Sequence, residues 1–178
     1  MLFKLERVYD RVSDVIGYLS GGLMILMMLN VFYDVIMRYF FRSGSIALQE
    51  MEWHLFSVMF LLGISYALKE DGHVRVDLIY DNLSGKKKAL INIIGTILFL
   101  IPFSLLIAFG SINFVVESYT IGEISGDPGG LTQRWIIKAM IPFAFFLLAV
   151  NSIGFVIKNM NLYRSADAPA VIAEGEQV

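Results

Sequence analysis

The stretch KEDGHVRVDLIYDNLSGKKK, residues 69–88, is the long polar break in an otherwise apolar chain. It holds five of the fourteen basic residues, namely Lys69, Arg75, Lys86, Lys87 and Lys88. A short loop rich in Lys and Arg is normally retained on the cytoplasmic side of a membrane. Two apolar segments precede this loop and two follow it, so the sequence predicts that both chain ends lie on the cytoplasmic side too.

The composition is that of a membrane protein. Hydrophobic residues make up 57% of the chain and charged residues 17%, with a mean hydropathy of +0.67, whereas soluble domains are about one-quarter charged. Each transmembrane helix needs about 20 apolar residues. We predict an all-α integral membrane protein with a four-helix domain over residues 15–158 and spans at about 15–37, 53–68, 89–116 and 135–157. Cysteine is absent, no cofactor is predicted, and no phosphate-binding glycine loop occurs.

The two chain ends flank this domain differently. Residues 1–14 place Leu5, Val8 and Val12 three or four apart among charged residues, which predicts an amphipathic helix that lies on the inner surface or extends the first span. Residues 159–178 are polar and Ala-rich, which predicts a disordered cytoplasmic tail. This topology puts ten of the fourteen basic residues inside and four outside, the bias expected of cytoplasmic termini.

Three polar residues lie four apart near the outer end of the first span: Asn30, Asp34 and Arg38. Ionisable groups within a span are costly and raise the possibility of a functional site. Arg38 is one turn from Asp34, however, where an ion pair can neutralise the acid, and Asp34 is close to the interface. We favour helix packing and anchoring over a proton or sodium relay.

Glu50 opens the second span, where a carboxylate suits the positive end of a helix. Glu52 and His54 lie close by, but these alternate positions point in different helical directions, which argues against a metal site. In the central loop, His73, Arg75 and Asp77 are interpreted as hydrogen-bonded structural residues.

The third apolar run, residues 89–116, is longer than a bilayer needs. Its 28 residues would form a helix of about 42 Å, which predicts tilt or protrusion. Pro102 near its middle removes a backbone hydrogen bond and should kink the helix. Asn92 and Asn113, near its two ends, are predicted to form hydrogen bonds between helices.

The second external connection contains a turn and then a basic, aromatic start to the fourth span. Asp127 lies in the turn, and Arg134, Trp135 and Lys138 follow it. Arg134 and Lys138 are one helical turn apart with Trp135 between them, which predicts a lipid-headgroup anchor or a docking face for a partner.

Several fragments in a fixed order carry a resemblance to a known family. They are Met37-Arg38-Tyr39, Glu50, Gly63, Gly72-His73-Val74-Arg75-Val76-Asp77, Asp127-Pro128-Gly129-Gly130-Leu131, Arg134-Trp135 and the stretch from Lys138 to Pro142. Over about residues 10–160, the chain resembles the small membrane subunit, or Q subunit, of tripartite ATP-independent periplasmic (TRAP) transporters. The best-known members have two adjacent acids where this chain has Gln49-Glu50, which indicates a subgroup.

The resemblance implies a multi-pass protein of the bacterial inner membrane. Its partners would be a larger membrane transport subunit, a periplasmic protein that delivers an organic anion, and membrane lipids, with no nucleic acid involved. In that family the sodium and substrate sites belong to the large subunit, so this chain would be a scaffold in a sodium-coupled symporter and not an enzyme. The candidate partner-interface or anchoring residues of this chain are Asn30, Asp34, Arg38, Glu50, His73, Arg75, Asp77, Asp127, Arg134, Trp135 and Lys138.

The residues give little support to two other classes of function. A small multidrug-type exporter that works as a homo-oligomer would need a carboxylate in mid-membrane, and Asp34 lies too near the surface. A haem-anchoring subunit would need His within the spans, but His54 and His73 lie at or outside the span boundaries.

Overall fold

The computed structural model describes residues 2–70, 72, 80 and 82–165, and this part of the chain is all-helical. Four helical segments in it are long and apolar enough to cross a membrane, which confirms the predicted class. The helices are α1 Leu2–Phe40, α2 Ile46–Lys69, α3 Gly85–Gly95, α4 Ile101–Gly110, α5 Ile112–Thr120 and α6 Trp135–Ser165.

Two ends of the molecule can be distinguished by the connections they carry. We call the end with residues 41–45 and 121–134 the loop end, and the opposite end, where Glu6 of α1 meets Asn161 of α6, the terminus end. Contacts of Glu50 with Leu131 and of Glu6 with Asn161 fix this arrangement. The helices therefore alternate in direction, as short connections require.

Helix α1 runs without a break through the predicted amphipathic segment. Its 39 residues correspond to about 58 Å, so residues 2–14 extend the first span. The buried face carries Tyr9, Ser13 and Ile16, while Val8 and Val12 of the predicted apolar stripe are exposed. The Tyr9 ring is buried because α6 has Gly154 opposite it, where an added Cβ would lie 2.4 Å from the ring.

Helix α2 begins at Ile46, seven residues before the predicted span. Ser45 has an extended backbone and its Oγ accepts a hydrogen bond from the Leu48 amide at 3.4 Å, which caps the helix. The 24 residues of α2 reach about 36 Å. The predicted start at residue 53 marks where the strongly apolar stretch begins, which is later than the start of the helix.

The third span is irregular next to Pro102, where the sequence predicts a disturbance. Residues Thr96–Leu100 form a π-helical turn, and the Ile101 amide donates to the carbonyl of Thr96. Proline has no N–H and crowds the carbonyl four residues earlier, so the preceding turn widens. A second interruption follows at Ser111, whose Oγ donates to the Ile107 carbonyl at 2.7 Å.

Helix α6 is the central element, since it packs against α1, α2 and every piece of the third span. One-third of its most apolar window is buried, against 6% for α1. The helix continues to Ser165, so residues 159–165 of the predicted disordered tail are helical. Asn159 and Asn161 are buried there by contacts with other helices, whereas residues 166–178 lie outside the described residues.

The core lies where α1, α2 and α6 meet, with Tyr9, Leu68, Leu148 and Phe155 as its buried cluster. The third span packs on another face of α6. Most large apolar side chains of α1 and the third span are exposed, as expected for surfaces that face lipid or another membrane protein. The charged side chains lie toward the two ends of the bundle, while small polar side chains such as Ser104 and Asn151 are buried between them.

Candidate functional site

Glu50 connects α2 to the 121–134 loop. It is the fifth residue of α2 and only 7% exposed. Its Oε1 accepts a hydrogen bond from Ser125 Oγ, and its Oε2 accepts one from the Leu131 amide at 2.6 Å. Gly130 lies so close that an added Cβ would come within 2.9 Å of Oε2. Glu50 therefore holds the middle of the loop against the start of α2.

The 121–134 loop has internal order of its own. The Ser125 amide donates to the Leu131 carbonyl, and the Gly130 amide donates to the Asp127 carbonyl, both at 3.0 Å. Gly129 has φ of +84°, a conformation that glycine adopts without strain. The loop is thus a hydrogen-bonded turn that presents the Ser125 hydroxyl and the Leu131 amide to Glu50.

Glu123 organises the basic residues at the start of α6. Its Oε2 accepts from Lys138 Nζ, and its Oε1 lies 3.8 Å from Arg134 Nε. The hydrogen bond from Lys138 is the main cause that holds the pKa of Glu123 below its usual value. The Asp127 side chain, which the sequence grouped with these cations, is exposed and has no ion pair with Arg134 or Lys138 in the described structure.

Sequence reasoning missed both the role of Glu123 and the partner of Glu50. Glu123 is fifteen residues from Lys138, and the loop between them has no periodicity that would bring them together. The one available signal was a lone acid before two bases at the start of a span. Ser125 and the Leu131 amide carry no signal at all, since any turn offers such groups.

Aromatic rings surround the two cations. The Arg134 guanidinium lies 5.6 Å from the centre of the Trp53 ring, and Lys138 Nζ lies 4.0 Å from that of Phe114. Trp135 meets Tyr119 edge to face at 5.4 Å. These contacts connect α2, α5 and the start of α6. The predicted anchoring residues Arg134, Trp135 and Lys138 therefore each contact an aromatic ring of this chain.

The three polar residues of α1 form contacts near the loop end as well. Arg38 forms an ion pair with Asp34, which is fully buried while Arg38 is half-exposed. Asn30 Nδ2 donates to the Leu48 carbonyl on α2 at 2.9 Å. The Asn30 hydrogen bond fixes this part of α1 against α2, whereas the Asp34–Arg38 pair lies within α1.

At the terminus end, the contacts between helices use amide side chains and an ion pair between Lys69 of α2 and Asp14 of α1. Asn92 Nδ2 donates to Asn159 Oδ1 at 2.9 Å, and Tyr80 OH donates to Asn92 Oδ1 at 3.1 Å. Asn161 Nδ2 donates to Glu6 Oε2 at 2.6 Å, so α6 is bonded to α1 and α3. Of the predicted loop residues, His73, Arg75 and Asp77 lie outside the described residues.

Taken together, these contacts have a common pattern. Carboxylates and amides at both ends join helices and loops of the same chain, and within the described ranges no three His, Asp or Glu residues group closely enough to hold a metal ion. The fold and these contacts define a small multi-pass helical membrane protein held together by its own polar side chains.

The chain belongs to the DctQ component family of tripartite ATP-independent periplasmic transporters, whose sequence pattern matches residues 27–161. It is 28% identical over 149 residues to a Haemophilus influenzae protein provisionally named TRAP transporter small permease, covering 83% of this chain and 92% of that one. The ectoine TRAP transporter small permease TeaB of Halomonas elongata is 28% identical over 76% of this chain and 69% of its own. The sialic acid TRAP transporter permease SiaT of Haemophilus influenzae is 27% identical over 74% of this chain, but the match spans 21% of SiaT.

Proposed function

We propose that this chain is the scaffold subunit of a sodium-coupled TRAP-type secondary transporter that imports an organic anion. A larger membrane subunit would carry the sodium and substrate sites, and a periplasmic binding protein would deliver the substrate. In SiaT a similar stretch makes up 21% of a longer permease, which supports association with a larger membrane component.

The main support for the scaffold role is that three acidic side chains at the loop end are paired with other groups of the same chain. Glu50 accepts two hydrogen bonds from the loop, Asp34 pairs with Arg38, and Glu123 pairs with Lys138. A coupling-ion or substrate site needs ligands that are free to change partners during transport. Groups already paired within the chain, between elements at Glu50 and Glu123 and inside α1 at Asp34, suit a rigid support for a moving partner.

The solute is proposed by class only. The relatives are named for ectoine and for sialic acid, which are both carboxylates, and we propose a carboxylate substrate here. Because the polar contacts of this chain join its own elements, the residues that select the solute would lie on the partner subunits.

We propose a bacterial inner-membrane location with both termini in the cytoplasm. The ten-to-four distribution of basic residues supports this orientation, in which the loop end is periplasmic. Reporter fusions at Asn82 and at Gly126 should then report cytoplasm and periplasm, respectively. The same location for both, or a periplasmic Asn82, would refute the topology.

The scaffold role is tested by purification of the tagged chain in mild detergent and identification of the membrane protein that accompanies it. A larger permease that transports only when this chain is present supports the proposal, and a lone homo-oligomer favours the exporter alternative. Asp34→Asn separates support from ion coupling. We expect weaker assembly with an unchanged sodium stoichiometry, so an altered stoichiometry in a fully assembled complex contradicts the scaffold role.

A further inference from the structure

An apolar groove runs between α2 and α6 near the loop end. Its volume is about 370 Å³, and the half-exposed rings of Trp53, Phe56 and Phe60 form one wall. Ile137 and Ile141 form the other wall. The lining residues extend from Trp53 to Leu61 on α2 and from Arg134 to Ile141 at the start of α6, about 10–12 Å along each helix, so the groove follows the helix axes.

The floor of the groove has no free polar group. Ser57 is its one uncharged polar residue, and Ser57 Oγ donates to the Trp53 carbonyl of its own helix at 2.7 Å. A hydroxyl engaged in this way does not need water or a polar ligand. The groove therefore suits a hydrocarbon occupant.

The mouth of the groove is cationic, with Arg134 and Lys138 among its lining residues. Lys138 is bonded to Glu123, but Arg134 is only loosely paired, since its Nε lies 3.8 Å from that carboxylate. Arg134 Nε is buried without a hydrogen-bond partner, and its side chain donates no hydrogen bond within the described residues. A guanidinium has five N–H donors, so this one lacks acceptors.

Glu50 does not neutralise Arg134 directly. Both Glu50 oxygens already accept from the loop, and no Glu50–Arg134 ion pair occurs within 4.0 Å in the part of the chain described here. The guanidinium instead lies 5.6 Å from the centre of the Trp53 ring, within cation–π range, and both residues line the groove. An oxygen-rich anion at this position would satisfy the free donors in bidentate fashion.

We propose that this groove binds one acyl chain of an anionic membrane phospholipid and that Arg134 donates hydrogen bonds to the lipid phosphate. The chain fills the apolar part between α2 and α6. Choline and ethanolamine headgroups bring a cation of their own close to Arg134 and Lys138, so a headgroup without one is preferred. The lipid phosphate completes the polar contacts at the start of α6. The groove is thus proposed as a lipid site and not as part of a substrate path.

A partner helix fits this groove less well than a lipid chain. Packed helix axes stand about 8–10 Å apart, and α2 and α6 already pack against each other. Apolar contact between helices also gives little specificity in a bilayer. The unsatisfied guanidinium, in contrast, gives a phosphate a specific place.

The two tryptophans of the chain provide a direct test, because Trp53 lines the groove. In a Trp135→Phe background, Trp53 is the single tryptophan. The full chain is reconstituted in phosphatidylcholine vesicles with small amounts of acyl-brominated phosphatidylglycerol, whose bromines quench a nearby indole. We expect quenching above the random-neighbour level, and weaker quenching with acyl-brominated phosphatidylcholine.

Two variants and one control separate the phosphate contact from the chain contact. Arg134→Gln should weaken the preferential binding of phosphatidylglycerol about tenfold, since a charged hydrogen bond is lost. Ser57→Leu should fill the floor and reduce quenching by both lipids. Arg42→Gln removes another charge at the loop end, from an exposed residue outside the groove, and should change nothing.

The outcomes decide the proposal without depending on the scaffold role. The proposal is overturned if quenching in the Trp135→Phe protein stays at the random-neighbour level. It is also overturned if the Arg134→Gln variant prefers phosphatidylglycerol as strongly as before. A crosslink that places a protein helix in the groove of the assembled complex overturns it as well. Circular dichroism of each variant verifies that it is helical, and the Ser57→Leu result still decides if Arg134→Gln misfolds.

Discussion

The two ends of the molecule are held together mainly by different side chains, carboxylates at the loop end and amides at the terminus end. At the loop end, Glu50 and Glu123 bind a turn and the basic start of α6. At the terminus end, Asn92, Asn159 and Asn161 join α6 to its neighbours, beside a single ion pair in the described residues there between helices, Lys69 of α2 with Asp14 of α1. A carboxylate accepts strongly from several donors and can fix a loop that offers N–H and O–H groups. An amide both donates and accepts, so it can join two helices without a net charge.

This comparison predicts unequal consequences of mutation. Hydrogen bonds to charged groups contribute about 1.5–3 kcal/mol each, whereas side-chain hydrogen bonds between membrane helices average about 0.6 kcal/mol. Loss of a carboxylate at the loop end should therefore cost more than loss of an amide at the terminus end. Four variants or conditions test the difference, beginning with the largest expected effect.

Glu50→Ala should have the largest effect. It removes both hydrogen bonds that hold the loop and leaves the Leu131 amide without its acceptor, at a cost of about 3 kcal/mol. Limited proteolysis in detergent should show much faster cleavage within residues 121–134, with a lower unfolding temperature. Glu52→Ala is the matched control, because Glu52 has no hydrogen bond in the described structure. Equal proteolysis of the two variants would contradict the role of Glu50.

Gly154→Ala tests the close approach of α1 and α6 at the terminus end. The new Cβ would lie 2.8 Å or less from Tyr9 atoms that include Cβ and Cγ, which cannot move without the helix. Overpacking of this kind costs about 2 kcal/mol. Gly21→Ala has open space around its Cβ and should be neutral or stabilising. Thermal unfolding of both variants in detergent compares them, and equal unfolding temperatures would mean that α1 does not pack as described.

Much of the fold was predictable because it rests on local properties. Apolar segments of about 20 residues identify the four helices, and Pro102 marks the irregular turn of the third span. The i,i+4 spacing of Asp34 and Arg38 also predicts a contact that the structure contains. Such features depend on a few neighbouring residues, which the sequence displays directly.

The contacts between distant segments were not predictable in the same way. The sequence singles out Glu50, but its partners lie 75 and 81 residues away in a loop. Val8 and Val12 belong to the predicted apolar stripe of α1, yet the structure exposes them and buries Tyr9 and Ser13, because Gly154 on α6 leaves room for a ring. A helical face in a membrane is selected by the shape of its neighbour, since lipid accepts apolar side chains on either face.

The Glu123–Lys138 contact makes the loop end sensitive to pH, with a smaller effect than Glu50→Ala. The hydrogen bond that Lys138 donates to Glu123 lowers the pKa of Glu123 below the usual value, so this contact contributes stability at neutral pH. That contribution is lost as the pH falls through the lowered pKa and Glu123 becomes protonated. Cleavage within residues 121–134 by an acid-active protease should rise a few-fold at the acid end of the range. Lys138→Met should reduce this dependence, with the Glu50 carboxylate, which holds the same loop, responsible for the remainder, and an unchanged profile would show that Glu123 does not contribute.

The smallest effect is expected for Asn92→Leu, which breaks the amide contact between α3 and α6. The variant loses the hydrogen bond to Asn159 and the one from Tyr80, but Asn159 Nδ2 keeps its bond to the Phe155 carbonyl at 2.9 Å, and leucine is favourable in an apolar span. The expected loss is about 0.6 kcal/mol for each bond, seen as a small decrease in the unfolding temperature in detergent. Asn113→Leu, at the other end of the third span, is the matched control and should cost nothing, because the predicted bond of Asn113 to another helix does not occur in the described structure. If Asn92→Leu instead destabilised the protein as much as Glu50→Ala, the amides would hold the terminus end as firmly as the carboxylates hold the loop end. The contrast between the two ends would then have to come from which segments are joined, a loop in one case and helices in the other, and not from the strength of the bonds.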